Sequence, residues 1–146
     1  MNGAAEGEGR LRRAVTGLLA MALVGTGAEL LLLEHYEDAW QFVPLVLIAL
    51  GLLAMGWRAV RPGRASLRAF RVVMVLMVAS GALGLFLHYR GNTEFELERD
   101  PGLAGFALFR EAMTGATPAL APGAMMLFGL LGLVSAARYA MPAGTE

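Results

Sequence analysis

Residues Ala14–Leu33, AVTGLLAMALVGTGAELLLL, form an apolar run in which Glu29 is the only charged residue. A helix of this length rises about 30 Å, which matches the hydrocarbon core of a bilayer. Arginines just before the run are also compatible with a cleaved signal peptide. Because the run is longer than the apolar part of such a peptide, we expect it to be retained as a first transmembrane helix.

The composition of the whole chain supports a membrane protein. Of the 146 residues, 57% are hydrophobic and only 16% are charged, whereas soluble domains average about one quarter charged residues. The formal net charge is zero, which gives no indication of a nucleic-acid partner. The chain has no cysteine, so disulfides and thiolate metal sites are excluded.

The hydropathy pattern predicts an all-α integral membrane four-helix bundle, since only helices satisfy the backbone within a single membrane-spanning segment. We place the spans at residues 14–35, 40–60, 69–89 and 118–139, within a transmembrane domain at 14–139. A disordered tail at 1–13 precedes it and a short tail at 140–146 follows it. The spacing of small residues predicts close helix contacts at Gly25 with Ala28, at Ser80-Gly81-Gly84 and at Gly129-Gly132.

The long connection at residues 90–117 carries two local signals. Alternation over Glu94–Glu98 permits a short extended piece. Asp100-Pro101 is typical of a helix start, and a helix from Pro101 to about Thr114 would be amphipathic. We expect that helix to lie on the outer leaflet or to cap the bundle, either as a lid over a pocket or as a plain connection.

The arginine distribution predicts the orientation. Under the four-span topology nine of the twelve arginines fall on one side of the membrane: Arg10, Arg12, Arg13, Arg58, Arg61, Arg64, Arg68, Arg71 and Arg138. Positive residues favour the cytoplasmic side. We therefore expect a multi-pass protein of the bacterial inner (cytoplasmic) membrane with both termini in the cytoplasm.

Two short similarities predict a tandem repeat of a two-helix transmembrane hairpin. His35-Tyr36 aligns with His88-Tyr89, and the Pro44 region aligns with the Pro122 region. An even number of spans per copy makes the copies parallel. Chance similarity between leucine-rich helices is the alternative. Under the alignment Glu29 and Glu34 have no acidic counterpart.

The candidate site lies at the predicted outer end of the bundle. Glu29 is costly inside a membrane and is either a proton or cation ligand or an acid that reaches interfacial water. His35 and His88, with Glu34, are candidate ligands of a divalent metal, although no recognised metal spacing occurs. The alternative is that the His-Tyr pairs anchor the helices at the interface. The remaining polar candidates are Tyr36, Glu37, Asp38 and Tyr89.

These features favour a non-enzymatic role. Nucleophile elbows, phosphate loops and dinucleotide fingerprints are absent from the sequence, and we predict no cofactor. The favoured function is a membrane subunit or binding module with an acidic, His-bearing outer face, acting in the lipid bilayer with other copies or another membrane protein. The first alternative is a small transporter or metal or proton carrier that uses Glu29, His35 and His88. The second is an intramembrane or interfacial enzyme with Glu29 or His35 as general base.

Overall fold

The protein folds into five α-helices, as seen in a computed structural model that describes residues 2–115 and 117–137, with side chains from residue 6 onward. No strand occurs in these ranges. The helices are α1 (Asn2–Leu32), α2 (Ala39–Val60), α3 (Arg64–Arg99), α4 (Gly105–Thr114) and α5 (Gly123–Ala137).

Three of the helices are long and apolar enough to cross a membrane. They are α1 from Glu6 to Leu32, all of α2 and all of α3. The apolar helix α5 is shorter, at 15 residues, and rises about 22 Å. Three such helices indicate a membrane-spanning protein, whose large exposed apolar surface is explained by contact with lipid.

The four apolar helices form a ring in which each contacts two others. Helix α2 packs on α1 and α3, α5 packs on α3 and α1, and α4 packs on α3. The core contains Leu23, Met74, Met77 and Phe128. The side chain of Met74 is fully buried and lies against Gly51 of α2 and Gly132 of α5. Because α4 also packs on α3, α3 contacts more of the described helices than any other.

The order and contacts of the helices do not confirm the predicted repeat of a two-helix hairpin, which stays a prediction. The order of contacts around the ring is the one that a pseudo-twofold would produce. However, Gly51 and Gly129, which the alignment makes equivalent, have different neighbours. An added Cβ at Gly51 would meet both α3 and, at 3.4 Å, Leu23 of α1, whereas the three atoms nearest to Gly129 all belong to α3. A duplicated hairpin would place Gly129 against α1 as well.

Glycines mark where the helices approach most closely. A Cβ at Gly81 would lie 2.7 Å from the backbone nitrogen of Met126 and 2.8 Å from the carbonyl oxygen of Pro122. Gly84, Gly129 and Gly132 also lie at such contacts, as the small-residue pattern predicts. The prediction is wrong for Gly25, where an added Cβ would have no neighbouring atom within 4 Å.

At the end of the bundle that carries most arginines, hydrogen bonds and an arginine–aromatic contact hold the helices together. The Arg71 guanidinium donates to the carbonyl oxygen of Ala136 at 2.9 Å and so joins α3 to the end of α5. The buried Ser66 hydroxyl accepts from the Gly63 N–H at 3.1 Å and secures the first turn of α3. The Arg58 guanidinium lies 5.0 Å from the centre of the Phe70 ring.

The connection at residues 90–117 lies at the end of the bundle away from the arginine-rich loop, and we call this the outer end after the predicted orientation. The structure of this outer connection differs from the sequence prediction. Helix α3 does not end at residue 89 but continues to Arg99, so the extended piece over Glu94–Glu98 is wrong. Glutamate, leucine and arginine are strong helix formers, and the Arg90–Glu94 ion pair at 2.8 Å supports the helix. At 36 residues α3 is about 54 Å long, so its outer part extends beyond a hydrocarbon core of about 30 Å.

Three other boundaries also move. Asp100 ends α3 rather than starting the next helix, and α4 begins at Gly105 instead of Pro101. Helix α1 begins at Asn2, within the segment predicted as a disordered tail. The stretch from Pro118 to Pro122 forms turns before α5, because proline cannot donate a backbone hydrogen bond. The predicted end of the fourth span and the tail at 140–146 lie outside the described residues.

Candidate functional site: a cavity at the outer end of the bundle

The outer ends of α1, α2, α3 and the turns before α5 surround a cavity of about 610 Å³. Its walls are mostly apolar, with Leu30 of α1, Pro44 of α2 and Leu87 of α3. We call this space the outer cavity. Its polar lining residues are Thr26, His35, Asp38, Gln41, Ser80, His88 and Thr117. A largely apolar pocket of this size with a few polar groups is typical of a small-molecule site.

The two histidines of the chain meet at this cavity. The centres of the His35 and His88 rings are 6.4 Å apart, with the ring planes at 54°. Both side chains are half-buried. The sequence alignment placed them at the same depth, and the structure brings them side by side.

The end of α1 sets the position of His35. Glu34 adopts a left-handed backbone conformation with φ of 52°. The His35 N–H donates to the carbonyl oxygen of Leu30 at 2.9 Å, and the Glu34 N–H donates to that of Leu31 at 3.2 Å. These two bonds form a Schellman motif, which turns the chain so that His35 lines the cavity.

A backbone carbonyl fixes the ring of His88. Its Nδ1 lies 3.1 Å from the carbonyl oxygen of Pro118. A carbonyl can only accept, so Nδ1 carries the proton in this contact, and Nε2 of a neutral ring is left as an acceptor. The bond also connects α3 to the turn that leads into α5.

Two of the polar lining residues have structural roles at the start of α2. The Asp38 Oδ1 accepts from the N–H of Trp40 at 2.7 Å and of Gln41 at 3.1 Å. In return the Gln41 Oε1 accepts from the N–H of Glu37 at 2.6 Å. This capping box satisfies backbone donors at the helix start, so both side chains are already engaged.

The remaining predicted site residues do not line the cavity. Glu29 is exposed on the outside of the bundle, and Glu34 and Glu37 are exposed at the turn. The rings of Tyr36 and Phe42 lie 6.4 Å apart, and those of Tyr89 and Phe109 lie 6.0 Å apart. Within residues 2–115 and 117–137 no group of three or more His, Asp or Glu is placed to hold a metal ion.

The sequence analysis did not identify Asn92, whose side chain holds together the two ends of the outer connection. Its side chain is buried. The amide nitrogen donates to the carbonyl oxygens of Ala112 at 2.8 Å and Thr117 at 2.6 Å, and the amide oxygen accepts from the Thr117 N–H at 3.1 Å. Asn92 therefore fastens α3 to the end of α4 and to the cavity wall at Thr117. Its only sequence signal is that it is an isolated amide next to an apolar helix.

Comparisons with protein-family models, with curated proteins and with solved structures found no match for this chain. Its function is therefore inferred from the outer cavity itself, with its apolar walls and its pair of imidazoles.

Proposed function

We propose that this protein is a non-enzymatic membrane binding module that holds a small amphipathic ligand in the outer cavity. The observation that carries the proposal is an apolar space of about 610 Å³ with two adjacent imidazoles in its wall. An acidic or hydrogen-bonding headgroup would contact His35 and His88. Its apolar part would lie against Leu30, Pro44 and Leu87.

The fixed ring of His88 supports this assignment. Since its Nδ1 proton is held by Pro118, the other edge of the ring is oriented before a ligand arrives. Pre-orientation of a polar group reduces the entropy that binding must overcome. Leucine and proline side chains give the ligand an apolar surface without unpaired polar groups.

Trp40, which lines the cavity, provides the measurement. In a Trp57→Phe background it is the only tryptophan, and energy transfer from it to a dansyl-labelled medium-chain fatty acid reports binding in nanodiscs. We expect saturable transfer. The double substitution His35→Ala/His88→Ala should weaken binding about tenfold or more, since hydrogen bonds to a charged group contribute about 1.5–3 kcal/mol.

Two controls make the test specific. Ala121→Phe adds bulk to an exposed residue of the cavity wall and should reduce the amount of bound probe. Glu29→Gln, which lies outside the cavity, should leave binding unchanged. If transfer persists unaltered in both the double-histidine and Ala121→Phe variants, the probe is only dissolved in the bilayer and the proposal is wrong.

A metal-binding carrier is the second candidate, and one observation favours it. Histidine ligands of metals usually donate their other ring N–H to a carbonyl or carboxylate, as His88 does to Pro118. His35 and His88 would supply two metal ligands. Glu29 and Glu34, the acids predicted to complete the site, do not line the cavity. Calorimetric titration with Zn²⁺ alone separates the two roles: stoichiometric binding that is lost in His35→Ala/His88→Ala would favour the carrier.

The role as a subunit is part of the same proposal. Glu29 lies one helical turn from the exposed apolar residues Leu32 and Leu33. A carboxylate on such a face is costly in lipid unless it reaches the headgroups or a polar group of another chain. This face is where we expect another copy or a different membrane protein to dock.

A further inference from the structure

A second concave surface lies on α3, closer to the N-terminal end of this helix than the outer cavity. It is a groove of about 450 Å³ that, among residues 2–115 and 117–137, is lined by α3 alone, and we call it the arginine groove. Arg64, Arg68 and Arg71 line one part of it, and Val72, Val75 and Leu76 line the other. Spacings of three and four residues place these side chains on one face of the helix.

The charge in the groove is of one sign. From Arg64 to Gly91 the sequence of α3 contains no acidic residue. Arg64 and Arg68 are exposed, whereas Arg71 is half-buried and donates to the carbonyl oxygen of Ala136. Guanidinium groups bind phosphate with paired hydrogen bonds. The groove is therefore complementary to a phosphate group at its arginine end.

The depth of the groove in a bilayer gives the second argument. The uncharged centre of α3 begins at Val72, so the arginines stand at the boundary between headgroups and hydrocarbon. Val72, Val75 and Leu76 are each about half exposed, at 52%, 53% and 46%. They continue the groove toward the membrane centre, where an acyl chain runs. One end of the groove thus suits a charged headgroup and the other suits its hydrocarbon tail.

From this arrangement we propose that the arginine groove binds an anionic phospholipid. The phosphate contacts Arg64 and Arg68, and the acyl chain lies along Val72, Val75 and Leu76. Basic pockets at the ends of membrane helices bind acidic headgroups through the same chemistry. The proposal is independent of the outer cavity and of any ligand there.

Native mass spectrometry of the delipidated full-length protein tests the site. The protein in neutral detergent is titrated with phosphatidylglycerol and, separately, with phosphatidylcholine of the same acyl chains. We expect a first phosphatidylglycerol to bind with clear preference over phosphatidylcholine. In Arg64→Gln/Arg68→Gln its affinity should fall roughly 25-fold, since each arginine near a membrane surface contributes about a factor of five.

The matched control removes the same charge elsewhere. Arg10 and Arg13 of α1 are exposed and lie outside the groove, so Arg10→Gln/Arg13→Gln should keep the affinity of the first phosphatidylglycerol. Equal losses in the two double variants would overturn the proposal, because they would show a general effect of charge. Equal binding of water-soluble glycerophosphoglycerol would also overturn it, because the groove would then be an anion site without a role for the acyl chain.

Discussion

Glu34 is an example of an acid that the sequence suggests as a metal ligand but whose role in the structure is to end a helix. Its acidic side chain beside His35 suggests a metal site, yet it is exposed and its backbone is left-handed. Left-handed conformations cost a residue with a Cβ about 1–2 kcal/mol. The position is the one that glycine usually occupies at the end of a helix.

We therefore expect Glu34→Gly to stabilise the protein by about 0.5–1 kcal/mol, because glycine removes the backbone strain. The free energy of unfolding is measured by denaturant titration in mild detergent. Glu37→Gly is the matched control, since it removes a nearby exposed glutamate whose φ is not positive. A loss of stability in Glu34→Gly equal to that in Glu37→Gly would contradict the relief of backbone strain at Glu34.

Among the secondary-structure elements, contacts between helices depend on which glycines face a neighbour. Gly81 of α3 faces the backbone at the start of α5, whereas Gly25 of α1 faces open space. Both lie inside membrane helices and both look alike in sequence. Close approach of two backbones is a property of the pair of helices rather than of either one.

Gly81→Ala should destabilise the protein by about 1–3 kcal/mol, because the added Cβ meets backbone atoms of Pro122 and Met126 that cannot rotate away. Gly25→Ala should leave stability unchanged or raise it by up to about 1 kcal/mol, since alanine is the better helix former. Thermal unfolding in detergent compares the two variants. Similar effects of both substitutions would contradict the packing of α3 on α5.

For the molecule as a whole, the arginine distribution predicts which ends face the cytoplasm. The chain has no cysteine, so single substitutions can be labelled selectively in intact cells with a membrane-impermeant maleimide. We expect labelling of Glu98→Cys at the outer end of α3. Gly63→Cys, in the arginine-rich loop, should react only after the membrane is permeabilised.

The control for this experiment is Leu53→Cys. Leu53 is 69% exposed in the isolated protein, and lipid should cover it, so it should remain unlabelled under both conditions. Labelling of Gly63→Cys in intact cells together with protection of Glu98→Cys would reverse the orientation. Strong labelling of Leu53→Cys would contradict a transmembrane position for α2.

The sequence allowed the apolar helices to be predicted, because unbroken apolar runs are explicit in the order of residues. The alignment predicted only that His35 and His88 lie at the same depth, whereas the 6.4 Å between their rings depends on how the helices pack. The rotation of α1 about its axis did not follow, since a run that is apolar on all sides does not indicate which face packs inward. For that reason Glu29 was expected near the histidines and lies outside the cavity.

The structure of the outer connection was harder to predict from the sequence, for a different reason. The alternation over Glu94–Glu98 is too short to outweigh the helix preference of its residues, and the buried bonds of Asn92 depend on a segment that is about 20 residues further along the chain. Such long-range hydrogen bonds leave no periodic pattern. The duplication and the number of complete spans remain predictions.

Helix α3 carries the arginine groove near one end, His88 beyond its middle and Asn92 in its outer part, without a break between Arg64 and Arg99. A continuous helix of about 54 Å behaves as a lever, and a tilt of about 10° displaces one end by about 9 Å relative to the other. If the lipid and the cavity ligand each bind more tightly at one tilt, lipid binding would change the affinity of the outer cavity for its ligand. By thermodynamic reciprocity the cavity ligand would change lipid affinity by the same factor.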